Sequence, residues 1–458
     1  MTNKKTNTKH NRIISLLTGI ICLLLTVSAC SSDKAEDTKE DQDQISKDLS
    51  IYITSDIHYL SDDINDHGSA FKKYISGGDG KQLEYIEEIT DAFVYEVKET
   101  SPDVLIISGD LTCNGEKASH KDLAKKLKRI EENGTEVYVI PGNHDINNPW
   151  ARGFKKSKQY VTDYVSKKDF KKIYNNYGYE EAISTDENSL SYLTALSKDL
   201  WLFMIDTSKY KDNLSLNHPQ ADGIIGKGTF DWMEECTKLA KEKGASIITV
   251  MHHNVLHHND VIQEGYTLNN YEQTQIKLRN NQLNLVFSGH IHIQDISSNL
   301  SSPENPIYEI ASNALSVYPH QYGVINYNAA SNSIDYATTP LDVENWARIN
   351  GQKDENLLNF TSYSEEYFGD IAYHMAYKNL KDYNTITEEE REKIASAMKT
   401  LNCRYFAGRE NLNSELLSDE IILILDQMGD GFFIKYLNSI LIDQDMEDNT
   451  LNVNLNTM

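Results

Sequence analysis

The chain has 458 residues and a formal net charge of −25, and 39% of its residues are hydrophobic. This length is enough for about two or three domains, each with a hydrophobic core. Because so large an excess of negative charge repels polyanions, we expect no nucleic acid polymer among its partners.

The first 30 residues have the features of a secretory signal. Four basic residues lie near the start: Lys4, Lys5, Lys9 and Arg12. An apolar stretch over residues 13–27 follows, and its length and flanks are those of a signal rather than of a membrane-spanning helix. The sequence Val27-Ser28-Ala29-Cys30 resembles the lipobox of bacterial lipoproteins. This resemblance implies removal of residues 1–29 and acylation of Cys30, although an ordinary signal peptide or an uncleaved anchor stays open.

The lipobox resemblance also implies a location: a lipid-anchored protein on the outer face of the cell membrane. Residues 30–49 are mostly Asp, Glu, Lys, Ser and Gln, so they cannot bury a core and are predicted to form a disordered tether. The three later cysteines are Cys113, Cys236 and Cys403. Their odd number and wide spacing indicate neither a disulfide framework nor a zinc finger.

From residue 50 onward, short apolar runs alternate with helical patterns. Strands are predicted over residues 51–53, 104–107 and 137–140. Amphipathic helices are predicted between them, the first ending at Ser101-Pro102 and the second at Asn133-Gly134. This order predicts an α/β arrangement with parallel strands and right-handed crossovers.

Three more strands are predicted over residues 200–205, 247–251 and 283–287, with a helix near residues 230–239. Beyond about residue 340 the pattern becomes helical, with a capping-box pair at Thr387 and Glu390. We therefore expect an α/β domain over residues 50–340 and a helical C-terminal domain over residues 341–458.

Polar residues follow five of the predicted strands. They form the segments Asp56-Ile57-His58, Gly109-Asp110, Gly142-Asn143-His144-Asp145, His252-His253 and Gly289-His290-Ile291-His292. Each segment alone could be a turn, or in the histidine pair a structural feature of the core. Their joint occurrence at strand ends is typical of a binding site, because ligands of α/β sheets lie at that edge.

The same five segments, in the same order, resemble the motifs of the calcineurin-like metallophosphoesterase superfamily. The resemblance implies a β-sandwich of two mixed sheets flanked by helices. It also implies two metal ions about 3.5–4 Å apart that clamp the oxygens of a phosphoester during in-line displacement. A metal-bridging hydroxide would be the attacking group.

The resemblance assigns ligands residue by residue. Asp110 would bridge the two ions; Asp56, His58 and His292 would hold one, and Asn143, His252 and His290 the other. The amide oxygen of Asn143 would complete a shell without neutralising the cation. Nitrogen and oxygen donors without thiolate favour Mn²⁺ or iron, with Zn²⁺ as an alternative.

His144 is not a ligand in the family and would act as a general acid or electrostatic partner of the phosphate. We predict that Asp145 orients its imidazole, as carboxylates commonly do for histidines near metals.

The substrate is expected to be a small anionic phosphoester. The segment from Gly109 to Glu116 lacks the arginine of the family's protein phosphatases and is similar to bacterial phosphodiesterases. Together with the lipoprotein signal and the helical extension, it resembles secreted cyclic-nucleotide phosphodiesterases. The segment His252-His253-Asn254 lacks the proline that many of those have, which leaves the substrate open. A phosphomonoesterase or nucleotidase and a non-catalytic surface scaffold are the alternatives.

Residues 146–178 contain eight basic and two acidic residues inside this acidic chain. We predict either that this segment steers an anionic substrate toward the metals or that it is an ordinary solvated face.

Overall fold

The computed structural model describes residues 45–302, 304–441 and 446–457. The predicted signal, Cys30 and most of the predicted tether lie outside the described residues, so the lipid anchor stays a prediction. Among the described helices, none has both the length and the apolar character needed to cross a bilayer.

The strands and helices are as follows, in chain order. The strands are β1 (Leu49–Thr54), β2 (Val104–Ile107), β3 (Glu136–Val139), β4 (Arg152–Lys155), β5 (Lys158–Val161), β6 (Ser184–Thr185), β7 (Tyr192–Ala195), β8 (Leu200–Ile205), β9 (Ser246–Met251), β10 (Leu285–Ser288), β11 (Asp295–Asn299), β12 (Ile307–Ala311), β13 (Gln321–Asn328), β14 (Ser333–Pro340) and β15 (Thr450–Asn454). The helices are α1 (Ser69–Ile75), α2 (Ile86–Thr100), α3 (Lys117–Glu131), α4 (Lys167–Ile173), α5 (Asn213–Leu216), α6 (Lys227–Lys243), α7 (Tyr271–Asn281), α8 (Val343–Ile349), α9 (Glu355–Leu358), α10 (Phe360–Leu380), α11 (Glu388–Phe406), α12 (Asp419–Asp426) and α13 (Phe432–Ser439).

Two mixed sheets organise the chain, as the predicted α/β sandwich requires. The first has the order β15-β14-β13-β1-β2-β3, and the second has the order β11-β12-β10-β9-β8-β7-β6. Strands β1, β2 and β3 are parallel, with Ile53 opposite Ile106 and Ile106 opposite Tyr138. Strands β8, β9, β10 and β12 are parallel as well. The mixed α/β fold with parallel inner strands is therefore confirmed.

Side chains from both sheets meet in one core. Ile53 and Ile106 of the first sheet lie in the same buried cluster as Met204, Val250 and Phe287 of the second. Each such side chain contributes about 1.5–3 kcal/mol when fully buried, so this layer fixes the two sheets against each other. As a result, the carboxyl ends of β1, β2, β3, β9 and β10 open toward one edge.

The C-terminal region is helical, as predicted. Thr387 caps α11 in a capping box with Glu390. Its core includes Leu380, Ile394 and Leu401, and the same cluster takes in Ile291 and Ile293 from the segment that carries the last two motif histidines. The helices therefore pack directly behind part of the candidate site.

One element of this region was not predicted. Residues Thr450–Asn454 form β15, which pairs antiparallel with β14 at the edge of the first sheet. Leu451 and Val453 are buried while Asn452 between them is exposed, which is the alternation of an edge strand. The region predicted as helical thus ends in a strand, and the predicted boundary at residue 340 stays a prediction.

A buried histidine fixes the loop that follows β9. The Nδ1 of His258 pairs with the carboxylate of Asp295, and its Nε2 lies 3.2 Å from Oε2 of Glu309. The Glu309 carboxylate also accepts the N–H groups of Val255 and Leu256. Burial alone would lower the pKa of His258, but the two carboxylates raise it to about 10. His257, the preceding residue in the chain, also interacts electrostatically with His258.

We expect this histidine to make stability depend on pH. Because its folded pKa is raised, its contribution is complete below the unperturbed value of 6.5 and is lost as pH rises through about 10. Urea unfolding at several pH values in that interval should show a falling free energy of unfolding in the wild type and a flatter dependence in His258→Asn. The exposed His218 supplies the control: His218→Asn should keep the wild-type slope. Equal slopes in all three proteins would contradict this role of His258.

Candidate metal centre

The predicted site residues converge at the edge where the parallel strands end. One group that could hold a metal ion comprises Asp56, His58 and His292, and a second comprises Asp110, His252 and His290. Within each group the potential ligand atoms lie within 4.8 Å of one another. These are six of the seven residues that the family resemblance assigned as ligands.

Asp110 belongs to the second group and also faces His58 of the first. Its Oδ2 is 3.8 Å from Nε2 of His58 and 3.5 Å from Nε2 of His252. Burial alone would raise the pKa of Asp110, but the facing imidazoles, with His252 foremost, hold it well below its usual range. The carboxylate is therefore an anion that both halves of the site share.

Asn143 joins the half of the site that contains His252. Its Oδ1 lies 3.0 Å from Nε2 of His252, and the side chain is buried. The structure thus brings together all seven residues that were predicted to bind metal.

Five of these residues have a left-handed backbone. The φ angles are 51° at Asp56, 48° at His58, 47° at Asp110, 70° at His290 and 67° at His292. Non-glycine residues in this region cost about 1–3 kcal/mol each, and such strain concentrates at functional sites. The sharp turns after the strands aim these side chains into one volume.

Backbone carbonyls orient two of the imidazoles. Nδ1 of His252 donates to the carbonyl of Ser108 at 3.0 Å, and Nε2 of His290 donates to the carbonyl of Gly265 at 2.8 Å. The nitrogen on the other side of each ring can then offer a lone pair to a cation once it is deprotonated. Metal-binding histidines commonly have such carbonyl partners, which fix ring orientation and tautomer.

The donor set fits a cation in the half of the site formed by Asp56, His58 and His292. The Oδ2 of Asp56 accepts the N–H of His290 at 2.8 Å, and its buried Oδ1 lies 3.2 Å from Nε2 of His292 and 3.6 Å from Nε2 of His58. Nε2 of His58 and Nε2 of His292 lie only 3.2 Å apart. Two ring nitrogens at this distance cannot both carry a proton, while a cation would bind both lone pairs and the carboxylate oxygen that faces them.

His144 lies at the rim of the same site. Its backbone N–H donates to Oδ1 of Asp110 at 2.8 Å, and its Nε2 lies 3.9 Å from Oδ2 of the same carboxylate. Its Nδ1 donates to the carbonyl of Cys113 at 2.7 Å. Burial lowers the pKa of His144, although the Asp110 carboxylate opposes that shift. The ring is therefore held with Nε2 directed at the shared carboxylate and one edge accessible.

The predicted contact between Asp145 and the imidazole of His144 is wrong. The two oxygens of the Asp145 carboxylate instead accept the N–H groups of Leu111, Thr112 and Gly142 at 2.9–3.1 Å. Asp145 therefore fixes the turns that carry Asp110 and Asn143, and the carbonyl of Cys113 orients the histidine. His144 and Asp145 are adjacent in the chain, and their side chains point to different partners.

Sequence patterns missed a lysine that lies close to the site. Lys81 is paired with Asp79 at 2.5 Å and its side chain is 10% exposed. Burial alone would lower the pKa of Lys81, but the Asp79 carboxylate raises it above its ordinary value. Next to it, the N–H of Gln82 donates to the carbonyl of Ser316, whose hydroxyl donates to the carbonyl of Asp56 at 2.8 Å. The loop around Lys81 is thereby tied to a predicted ligand, and no repeated pattern in the sequence indicates that contact.

Gly142 leaves room for Asp110, which gives a direct test of this packing. A Cβ at residue 142 would lie 2.1 Å from Oδ1 of Asp110 and 2.3 Å from its backbone nitrogen. We expect Gly142→Ala to displace the carboxylate and to weaken metal binding by about 10- to 100-fold, as measured by metal titration. Gly226→Ala is the matched control, because no atom lies within 4 Å of a Cβ there. Unchanged affinity in Gly142→Ala would show that Asp110 does not hold metal.

Comparisons with known proteins agree with this geometry. Residues 49–294, more than half of the chain, match the calcineurin-like phosphoesterase family. Residues 342–447 match the C-terminal domain of cyclic nucleotide phosphodiesterase. No curated protein sequence matches the chain.

Solved structures resemble the chain only distantly. A dimetal phosphatase from Danio rerio is 12% identical with a TM-score of 0.45, and the match covers 64% of this chain and 96% of that one. A protein of Thermus thermophilus is 12% identical with a TM-score of 0.33, and the match covers 64% of this chain and all of that one (100%). At these TM-scores the two likenesses decide neither substrate nor mechanism.

The family match spans strands β1 to β10 and all five motif segments. The two groups of potential ligands, which meet where Asp110 faces His58, indicate two metal ions in a phosphoester hydrolase. The chain belongs to the calcineurin-like phosphoesterase family.

Proposed function

We propose that this phosphoesterase hydrolyses a small phosphodiester, with a 3′,5′-cyclic nucleotide as the first candidate. The proposal depends above all on one observation, the convergence of two groups of potential ligands on Asp110 with His144 beside them. The match of residues 342–447 to the C-terminal domain of cyclic nucleotide phosphodiesterase supports the choice of substrate.

In this proposal Asp110 would bind both cations. Asp56, His58 and His292 would hold one of them, and Asn143, His252 and His290 would hold the other. Two bound cations supply charge that neutralises the phosphoryl oxygens and lowers the pKa of a water molecule. The donors are carboxylate, amide and imidazole, a set that suits Mn²⁺, iron or Zn²⁺.

His144 serves the leaving oxygen. Because Nδ1 donates to the Cys113 carbonyl, only Nε2 is available to the substrate. In its imidazolium form, which the Asp110 carboxylate favours, the ring carries a proton on Nε2 as well. That proton can hydrogen-bond the departing oxygen and transfer to it as the phosphorus–oxygen bond breaks, which leaves the neutral ring with its proton on Nδ1. Asp110 assists through its hydrogen bond from the backbone of His144, which keeps the ring at a fixed distance from the shared carboxylate.

The metal and substrate assignments are tested together with the chain from Ser31 onward, stripped of metal and reloaded with Mn²⁺. We expect turnover of both 3′,5′-cyclic AMP and bis-p-nitrophenyl phosphate, and a loss of at least about 100-fold in His290→Ala because a ligand is removed. Turnover of p-nitrophenyl phosphate but of neither diester would replace this proposal with a phosphomonoesterase. Loss of all turnover after correct metal loading would favour the scaffold alternative.

Substitution of His144 should lower activity without removing metal, unlike substitution of a metal ligand. We expect His144→Asn to lower kcat for cyclic AMP by about 10²- to 10⁴-fold while the bound metal content stays at the wild-type level. The loss with bis-p-nitrophenyl phosphate should be smaller, because p-nitrophenolate leaves without a proton. An equal loss on the two substrates would argue against proton transfer by His144, and loss of metal would make it a ligand.

A further inference from the structure

A cavity of 460 Å³ opens beside His144. Its lining includes Tyr74, Lys81, His144, Trp150, Arg152 and Gln159. Its volume falls within the range of small-molecule sites, about 300–1,000 Å³. Because His144 is the only predicted site residue in this lining, the cavity lies on the His144 side of the metal centre.

That position decides which part of a substrate the cavity can receive. If His144 gives a proton to the leaving oxygen, the group attached to that oxygen lies on the same side of the phosphorus atom as His144. In a cyclic nucleotide the leaving oxygen belongs to the ribose. The nucleoside therefore extends from the metal centre into this cavity.

The cavity has aromatic walls. Trp150 is 48% exposed although it is a large apolar side chain, and its backbone N–H donates to the side-chain oxygen of Asn148 at 2.9 Å. Tyr74 is 37% exposed, its ring lies 5.1 Å from that of Phe154, and its hydroxyl accepts from the amide of Asn114 at 3.2 Å. Exposed aromatic rings at an open cavity can serve as stacking surfaces for nucleobases.

The same cavity has positive charge. The guanidinium of Arg152 donates to the carbonyls of Pro149 and Ala151 at 2.8–2.9 Å, which holds it in place. Lys81 is held by Asp79 and lies in the same lining as His144. Asp79 lines the cavity as well, so its charged side chains are two cations and one anion. In a chain with a net charge of −25, this local excess of positive charge attracts an anionic substrate.

Several lysines of the predicted basic segment, residues 146–178, lie away from the cavity beside His144. Lys167, Lys168, Lys171 and Lys172 line a different cavity. Of the eight basic residues in residues 146–178, Arg152 is the one that the cavity beside His144 includes.

We infer that this cavity binds the nucleoside of the substrate, with the base stacked on Trp150 and Lys81 directed toward the phosphate. The inference rests on the proposed phosphodiesterase function and specifies its substrate class as a nucleoside phosphodiester. Trp150 is a specificity residue in this assignment, and it takes no part in proton transfer or metal binding.

Binding of 5′-AMP and of ribose 5-phosphate by the Mn²⁺-loaded chain, measured by calorimetry, tests the stacking directly. The two ligands share sugar and phosphate, so their affinity ratio reports on the base alone. We expect 5′-AMP to bind about tenfold or more tightly than ribose 5-phosphate in the wild type. Trp150→Ala should remove that preference, and Trp150→Phe should retain it because a phenyl ring can still stack.

The kinetic counterpart is a rise in KM for cyclic AMP in Trp150→Ala, with kcat near the wild-type value and the thermal unfolding midpoint unchanged. No preference for 5′-AMP in the wild type, or a preference that survives in Trp150→Ala, would overturn the nucleoside site. If the preference holds but cyclic nucleotides are not turned over, the nucleoside site stands and the proposed reaction fails. If cyclic AMP is turned over without any base preference, the reaction stands and this inference fails.

Discussion

The carboxylate of Asp110 is the interaction on which the site depends. It is buried at the end of a parallel strand, where one oxygen accepts the backbone N–H of His144 and the other faces His58 and His252. A single anion shared by two groups of donors requires that both sheets be held in fixed relation. The common core between the sheets provides this, because Ile106 and Phe287 pack in the same cluster.

The turns around Asp110 are strained and are stabilised by their neighbours. Gly109 has a φ of 108°, and a Cβ there would lie 2.5 Å from the ring of His252. The carboxylate of Asp145 offsets part of that cost by accepting several backbone N–H groups from the same turns. Burial and the nearby Asp110 carboxylate raise the pKa of Asp145 to about 7, and the backbone hydrogen bonds oppose that shift because they stabilise its anion. The result is a rigid frame in which ligand positions are set before any cation binds.

The C-terminal helices are part of this frame. Phe368 of α10 packs so closely on Gly80 that a Cβ there would lie 2.8 Å from its ring, which places the helix directly behind the loop of Lys81. The amide of Asn313 donates to the carbonyls of both His292 and Phe406, so the end of α11 is bonded to the segment of a predicted ligand. The helical region therefore has a structural role in the site, because it contacts the loop of Lys81 and the segment that carries His292.

The sequence by itself determined the local features, which depend only on residues close in the chain. These are the apolar runs of the inner strands, the capping box at Thr387 and the polar segments that follow the strands. It also predicted that five polar segments meet at one edge, because parallel strands bring their carboxyl ends together, and the family resemblance assigned which of their residues bind metal. Only the tertiary structure decided that Asp145 holds the turns instead of His144, that residues 450–454 return to the first sheet, and that Lys81 and Trp150 share a cavity with His144. Each of these depends on groups far apart in the chain or on the direction of a side chain at a sharp turn, which residue spacing does not specify.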